Sequence, residues 1–454
     1  MTLAPTRGPI RPLHLCLLLL AICLELAPGA PQGYLSDENP APGSIEELES
    51  VLDNVSLRRE PRQPGRLIPA ALDRIQFTED WLPEASLIVK SRSYYRYRDG
   101  GDGRILEAFA TGGSLDFDSG WLFDTFKIGL VGYTSQKLIG DADRDGTGLL
   151  QPGQQGYTAL GQAYLLARYR NATAHLFRQE IDIPYINRDD IRMTPKTFEA
   201  YFLSANDPLG IKGLEVGGGH VTRVKDRTSS RFVPMSHLAG VGEVDRGVTA
   251  VGARYDLSED LWFGATNQYG WDLWNTFYGE MEFDMQVPRT DLTAQASFQF
   301  SDQRSVGDQL AGEFDTQLFG ASLGFGLHGF LTSLSFTTTD EEATIRNPWG
   351  GHPGYNSVMI SDFDRAGEDS YRLGLSYDLA KVGLDGLSAF ANFVHGDVPA
   401  GGNDQDEWNV TVDYRPDDGL LKNFWLRVRG GQNRRDGEPT RDEFRVILNY
   451  SHTF

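Results

Sequence analysis

Cysteine is almost missing from this chain. Cys16 and Cys23 are the only two, and both fall within the first 30 residues. A mature protein that has lost that segment has no disulfide and must gain its stability in other ways. Long apolar runs are missing too. Past the N-terminal segment none approaches the roughly 20 residues that a membrane helix needs, so a membrane location would require a closed barrel. Positive charge is scarce: Lys plus Arg is 42 against 63 for Asp plus Glu, a net charge of −21. Such a chain is a poor partner for nucleic acid. The metalloprotease signature H-E-x-x-H is absent as well. His175, His220, His237, His328, His352, His395 and His452 are scattered and none has metal-ligand spacing. The sequence therefore implies no cofactor and no metal, and singles out no catalytic residue.

What is present begins with an export signal. Arg7 and Arg11 form a basic start, Leu13 to Leu26 an apolar core, and Ala27-Pro28-Gly29 a small-residue cleavage region. Residues 1–29 read as a secretory signal peptide; a lipoprotein reading through Cys23 is a weak match. Residues 30–83 are broken by Pro31, Pro40, Pro42, Pro61, Pro64 and Pro69 and read as a flexible periplasmic extension. Ser44 and Glu47 would cap one short helix within it.

From residue 84 to 454 the pattern is that of an all-β chain. Segments of about ten residues alternate apolar and polar and are separated by Gly, Asp, Asn and Pro clusters. About 18 such segments can be marked, an even number that suits an antiparallel transmembrane β-barrel. Short turns at Asp118-Ser119-Gly120, Arg170-Asn171-Ala172, Ser258-Glu259-Asp260 and Leu327-His328-Gly329 alternate with longer loops. The final segment places Phe444, Val446, Leu448, Tyr450 and Phe454 on one parity and ends the chain on an aromatic. With the leader, this pattern indicates an outer-membrane barrel of a Gram-negative bacterium, inserted by the barrel-assembly machinery through its last strand and surrounded by lipid and lipopolysaccharide.

Strand parity also sorts the charges. Leu87, Val89, Tyr95 and Tyr97 share one face, which turns Lys90, Arg92 and Arg96 to the other. The same test turns Lys127, Arg168, Arg170, Arg254, Arg372, Arg427, Arg429 and Arg445 inward. A lipid-facing Arg or Lys at the midplane would cost about 2–4 kcal/mol. An acidic protein is thus expected to line its lumen with bases, which would attract anions. The alternative is that these bases pair with inward acids such as Asp413 and Glu443 and brace the wall.

Several stretches resemble the OprD-type outer-membrane porins, the substrate-specific channels of Gram-negative bacteria. They are residues 353–369, from Pro353-Gly354-Tyr355-Asn356 to Gly367-Glu368-Asp369, then Leu373-Gly374-Leu375-Ser376-Tyr377-Asp378 and Leu421-Lys422-Asn423-Phe424-Trp425. Asp442-Glu443-Phe444-Arg445 and Leu214-Glu215-Val216-Gly217-Gly218-Gly219-His220 also match. The resemblance covers about 81–454. It implies an 18-stranded barrel, monomeric or at most a weak trimer. It implies a third loop folded inward, here 182–196, and a seventh loop narrowing the pore, here 340–368. It also implies passive uptake of small carboxylate solutes, amino acids included, along a ladder of arginines. Asp182, Asp189 and Asp190 on the third loop are then expected to be constriction acids that meet a substrate's cationic end. A general diffusion porin or a non-conducting structural or adhesive barrel are the alternatives.

Overall fold

A computed structural model describes residues 85–399, 401–416 and 419–454. The expected leader at 1–29 and extension at 30–83 lie outside the described residues. Among the described residues no helix is long and apolar enough to cross a membrane.

The wall is a closed antiparallel barrel of 18 strands. In chain order they are β1 Ser86–Asp99, β2 Ile105–Asp118, β3 Phe126–Ile139, β4 Tyr157–Tyr169, β5 Ala172–Gln179 and β6 Thr197–Asn206. Then follow β7 Leu214–Lys225, β8 Val248–Asp256, β9 Leu261–Gly270, β10 Trp274–Gln286, β11 Thr293–Ser305 and β12 Asp315–Leu327. The last six are β13 Phe330–Thr339, β14 Asp369–Asp378, β15 Leu387–Asp397, β16 Gln405–Tyr414, β17 Phe424–Arg435 and β18 Arg441–Thr453. Each strand pairs with its sequence neighbour, and β18 closes on β1 from Ile88↔Thr453 to Asp99↔Asp442. Closure leaves no free edge, so every wall amide has a partner without water. A three-residue strand, Phe232–Pro234, adds to the end of β7 outside the ring.

Period-two alternation decides which side of the wall each residue takes. Tyr371, Leu373 and Leu375 on β14 and Phe444 and Leu448 on β18 are exposed on the outside, while Arg372, Glu443 and Arg445 between them are buried inside. The expected turns hold at 170–171, 257–260 and 328–329. At the last, His328 and Gly329 both take positive φ (51° and 82°), which matches the right-handed twist of a two-residue hairpin. The connection after Asp118 is longer than the expected tight turn. It runs over 119–125, with Leu122 and Phe126 bridged across it.

Long connections gather on one rim and short ones on the other. Two of the long ones, 180–196 and 340–368, turn into the barrel, as the resemblance implied. Ile181, Ile183 and Ile186 bury against Phe198, Val221, Val224, Met235, Val248 and Trp349. Trp349 stacks on Trp274 at 4.8 Å and donates its indole N–H to the Met235 carbonyl. These contacts seat both connections on the β6–β10 side of the rim.

Candidate functional site

The third long connection crosses the lumen. At one end, Tyr185 shares a 2.6 Å hydrogen bond with Ser301 of β11, and Gln268 of β9 donates to the Pro184 carbonyl. At the other end, Arg92 of β1 grips Asp190 with two bonds of 2.6 and 3.1 Å and also donates to the Arg192 carbonyl. In an 18-stranded ring β1 and β10 are diametrically placed, so this segment divides the pore. The seventh connection is clipped to it. Asn187 exchanges hydrogen bonds with both the N–H and the carbonyl of Gly351, at 2.7 and 3.1 Å, and Lys196 donates to the Pro348 carbonyl. Gly350 allows this approach, since a Cβ there would lie 2.8 Å from Asn187.

The basic row concentrates on β17, β18 and β1. Arg445 lies in register with Arg429 on one side and Arg96 on the other. Arg96 binds Glu443 bidentately at 2.7 and 3.0 Å, Arg445 binds it at 2.5 Å, and Arg98 binds it too. One carboxylate thus serves three guanidinium groups. Arg445 also donates to the Met359 carbonyl of the seventh connection at 2.9 Å. Arg429, only 5% exposed, bonds the Thr411 hydroxyl at 3.1 Å and has no ion pair among the described residues. Arg427 lies two residues along, about 7 Å by strand rise, and is held bidentately by Asp413 at 2.8 Å.

The other expected bases are distributed around the wall. Arg372 is buried on β14. Lys90 pairs with Asp116 at 2.9 Å and Lys127 with Asp118 at 3.0 Å. Arg254 pairs with Asp256 at 2.9 Å and lies 4.0 Å over the Trp262 ring. Arg168 sits near the short-turn rim, 4.0 Å over Trp121, and donates to the Asp124 carbonyl. Wall bracing therefore describes most of these residues.

Two expectations need correction. Arg170 is not on the inner face. β4 ends at Tyr169, Arg170 takes φ 54° in the turn, and its guanidinium lies 5.3 Å over the exposed Tyr169 ring. Parity does not extend past a strand's last residue. The constriction acids Asp189 and Asp190 are not open to a cationic ligand. Asp190 is taken by Arg92, and Asp189 pairs with Arg227 of the 226–247 connection at 2.8 Å. Burial pushes the Asp189 carboxyl up, against the opposing pull of Arg227. Asp182, half-buried, sits in a two-residue hairpin opposite Asn187.

Parity reasoning missed Arg192, since it works only on strands. Arg192 lies on the third connection and feels Arg96 and Arg445 as like charges, while its guanidinium bonds only the Ile191 carbonyl among the described residues. The signal was its position two residues after Asp190 in a segment read only for acids.

Residues 79–454 match the family described as outer membrane porin, OprD family. Porin D of Pseudomonas aeruginosa is 23% identical over 411 residues, covering 82% of this chain and 91% of its own. The crystal structure of OccK9 (OpdG) from Pseudomonas aeruginosa is 25% identical, covers 83% of this chain and 100% of its own, and superposes with a TM-score of 0.76. That of OpdK with vanillate, from the same organism, is 22% identical with 83% and 100% covered and a TM-score of 0.74. These relatives are transport channels of the Gram-negative outer membrane, and the closed barrel with its inward third and seventh connections has the architecture such a channel needs. The chain belongs to the OprD family of outer membrane porins.

Proposed function

We propose that this porin carries small carboxylate-bearing solutes past the row formed by Arg96, Arg445, Arg429 and Arg427, with Arg192 facing the same row. The observation that carries the reading is the register of Arg429, Arg445 and Arg96 on three adjacent strands, with Glu443 as a carboxylate shared by Arg445 and Arg96 but not by Arg429. A guanidinium fork binds a carboxylate through two parallel bonds and keeps its charge. Steps of about 5 Å between adjacent strands and about 7 Å along β17 let a solute reach the next fork before leaving the last, so no single well traps it. Pairing of Asp189 and Asp190 removes the acids that would have favoured a zwitterion.

Liposome swelling with gluconate and glucose tests this, because the two differ little in size. Arg429→Gln with Arg445→Gln should slow gluconate about tenfold, a change of roughly 1.4 kcal/mol, and leave glucose nearly unchanged. Equal slowing of both would make the row a brace.

The same reading puts the N-terminus in the periplasm and assigns the last strand to the barrel-assembly machinery. Phe454 is 52% exposed beside His452. Phe454→Ser should lower outer-membrane levels on cell fractionation; unchanged levels would sink that assignment.

A further inference from the structure

Glu407 of β16 is fully buried and turned inward, with no ion pair among the described residues. Its two oxygens accept the backbone N–H groups of Ile360 and Ser361, at 2.8 and 2.9 Å. Asn409 and Asn433 donate to it as well, at 3.1 and 3.3 Å. A buried carboxylate without a cation is costly unless its lone pairs are filled, and here four N–H donors fill them. Two of those donors are consecutive amides at the tip of the seventh connection.

That tip is fixed from three sides. Asn356 accepts from Ser335 and donates to the carbonyl and hydroxyl of Ser370. Arg445 donates to the Met359 carbonyl. Glu407 holds the next two residues. Ile360 and Ser361 are partly exposed, whereas Val358 and Met359 are buried. Glu407 and the arginine row share one patch of wall: Glu407 faces Asn433 across β16–β17, and Arg429, four residues back along β17, faces Arg445.

We infer that Glu407 is a positioning residue of the pore, holding the tip at Ile360 and Ser361 so that Met359 occupies Arg445 and Arg429 is left as the guanidinium without a carboxylate partner among the described residues. The inference rests on the carboxylate reading above for its effect on selectivity, but not for its effect on pore size. Glutamine cannot replace the carboxylate. Its amide presents one acceptor and one donor group, so one of the two adjacent N–H groups would meet another N–H.

Planar-bilayer recording in KCl, with swelling in gluconate and glucose, tests it on the full-length protein. Glu407→Gln should raise conductance about twofold and lower the gluconate-to-glucose ratio severalfold, as a freed tip widens the constriction. Ile360→Pro deletes one of the two amide donors while leaving the wall intact, and should act in the same direction. In a channel whose residues 357–362 are deleted, Glu407→Gln should change neither quantity further. Unchanged conductance in both single variants would overturn the inference, as would an undiminished effect of Glu407→Gln in the deleted-tip channel. A parent channel with a gluconate-to-glucose ratio near one would instead count against the carboxylate reading, since KCl conductance reports the tip whatever the cargo.

Discussion

The two facing walls of the lumen do different jobs with different chemistry. On β9–β11 the inner face near the constriction carries uncharged polar side chains together with the acid Glu280, which accepts from the Tyr355 hydroxyl of the seventh connection. Gln268, Tyr278, Gln299, Ser301 and Gln303 are buried there, and Gln303 exchanges two hydrogen bonds of 2.8 Å with the backbone of Arg346. These side chains dock connections through matched donors and acceptors. On β17, β18 and β1 the inner face carries Arg427, Arg429, Arg445, Arg96 and Arg98, with Asp413 and Glu443 as their bonded carboxylates. Docking alone is met by amides and hydroxyls at low cost. A surplus of buried guanidinium groups is expensive, and it is for this surplus, beside the divided pore, that we propose a role in passage.

The sharpest way to break the contrast is to remove the charge that tempers the basic wall. Glu443→Gln would leave Arg96, Arg98 and Arg445 without their shared carboxylate. Loss of one partner of a buried pair costs roughly 3–5 kcal/mol, so the urea midpoint of the folded barrel in detergent should fall clearly. A midpoint within error of the parent would mean that water or another group already screens the cluster. On the β9–β11 wall the effect should be smaller and of another kind. Gln268→Leu leaves the buried Pro184 carbonyl without its donor, a cost of about 1–3 kcal/mol. Single-channel records should show noisier current with unchanged ion selectivity; altered selectivity would deny the division of labour between the walls. The smallest effect belongs to Arg170→Ala. That side chain stacks on the outward Tyr169, so gluconate and glucose uptake should both stay as in the parent. A selective loss of gluconate uptake would restore Arg170 to the pore.

The wall was largely legible in the residues because a sheet repeats its rule. The segment that alternates from Leu87 to Tyr97 is β1 at Ser86–Asp99, and the final segment from Phe444 to Phe454 is β18 at Arg441–Thr453. A one-residue slip would turn every side chain to the wrong face, and Arg372, Arg427, Arg429 and Arg445 are buried on the parity opposite their apolar neighbours. The constriction was less legible. Asp190 and Arg92 are 98 residues apart, and Glu407 and Ile360 are 47 apart. Nothing local in either acid distinguishes a clamp from a ligand group. Arg170 failed for a local reason, since one residue beyond a strand end the alternation no longer applies. Arg192 escaped because a connection has no parity to read.

The central claim is that a chain with a net charge of −21 presents a cationic constriction to solute. Reversal potential across a planar bilayer under a KCl gradient measures this most directly. The account predicts an anion-selective channel whose reversal potential moves toward cation selectivity when Arg429 and Arg445 are both changed to Gln. A parent channel that is already cation-selective, with a potential indifferent to those two residues, would contradict it.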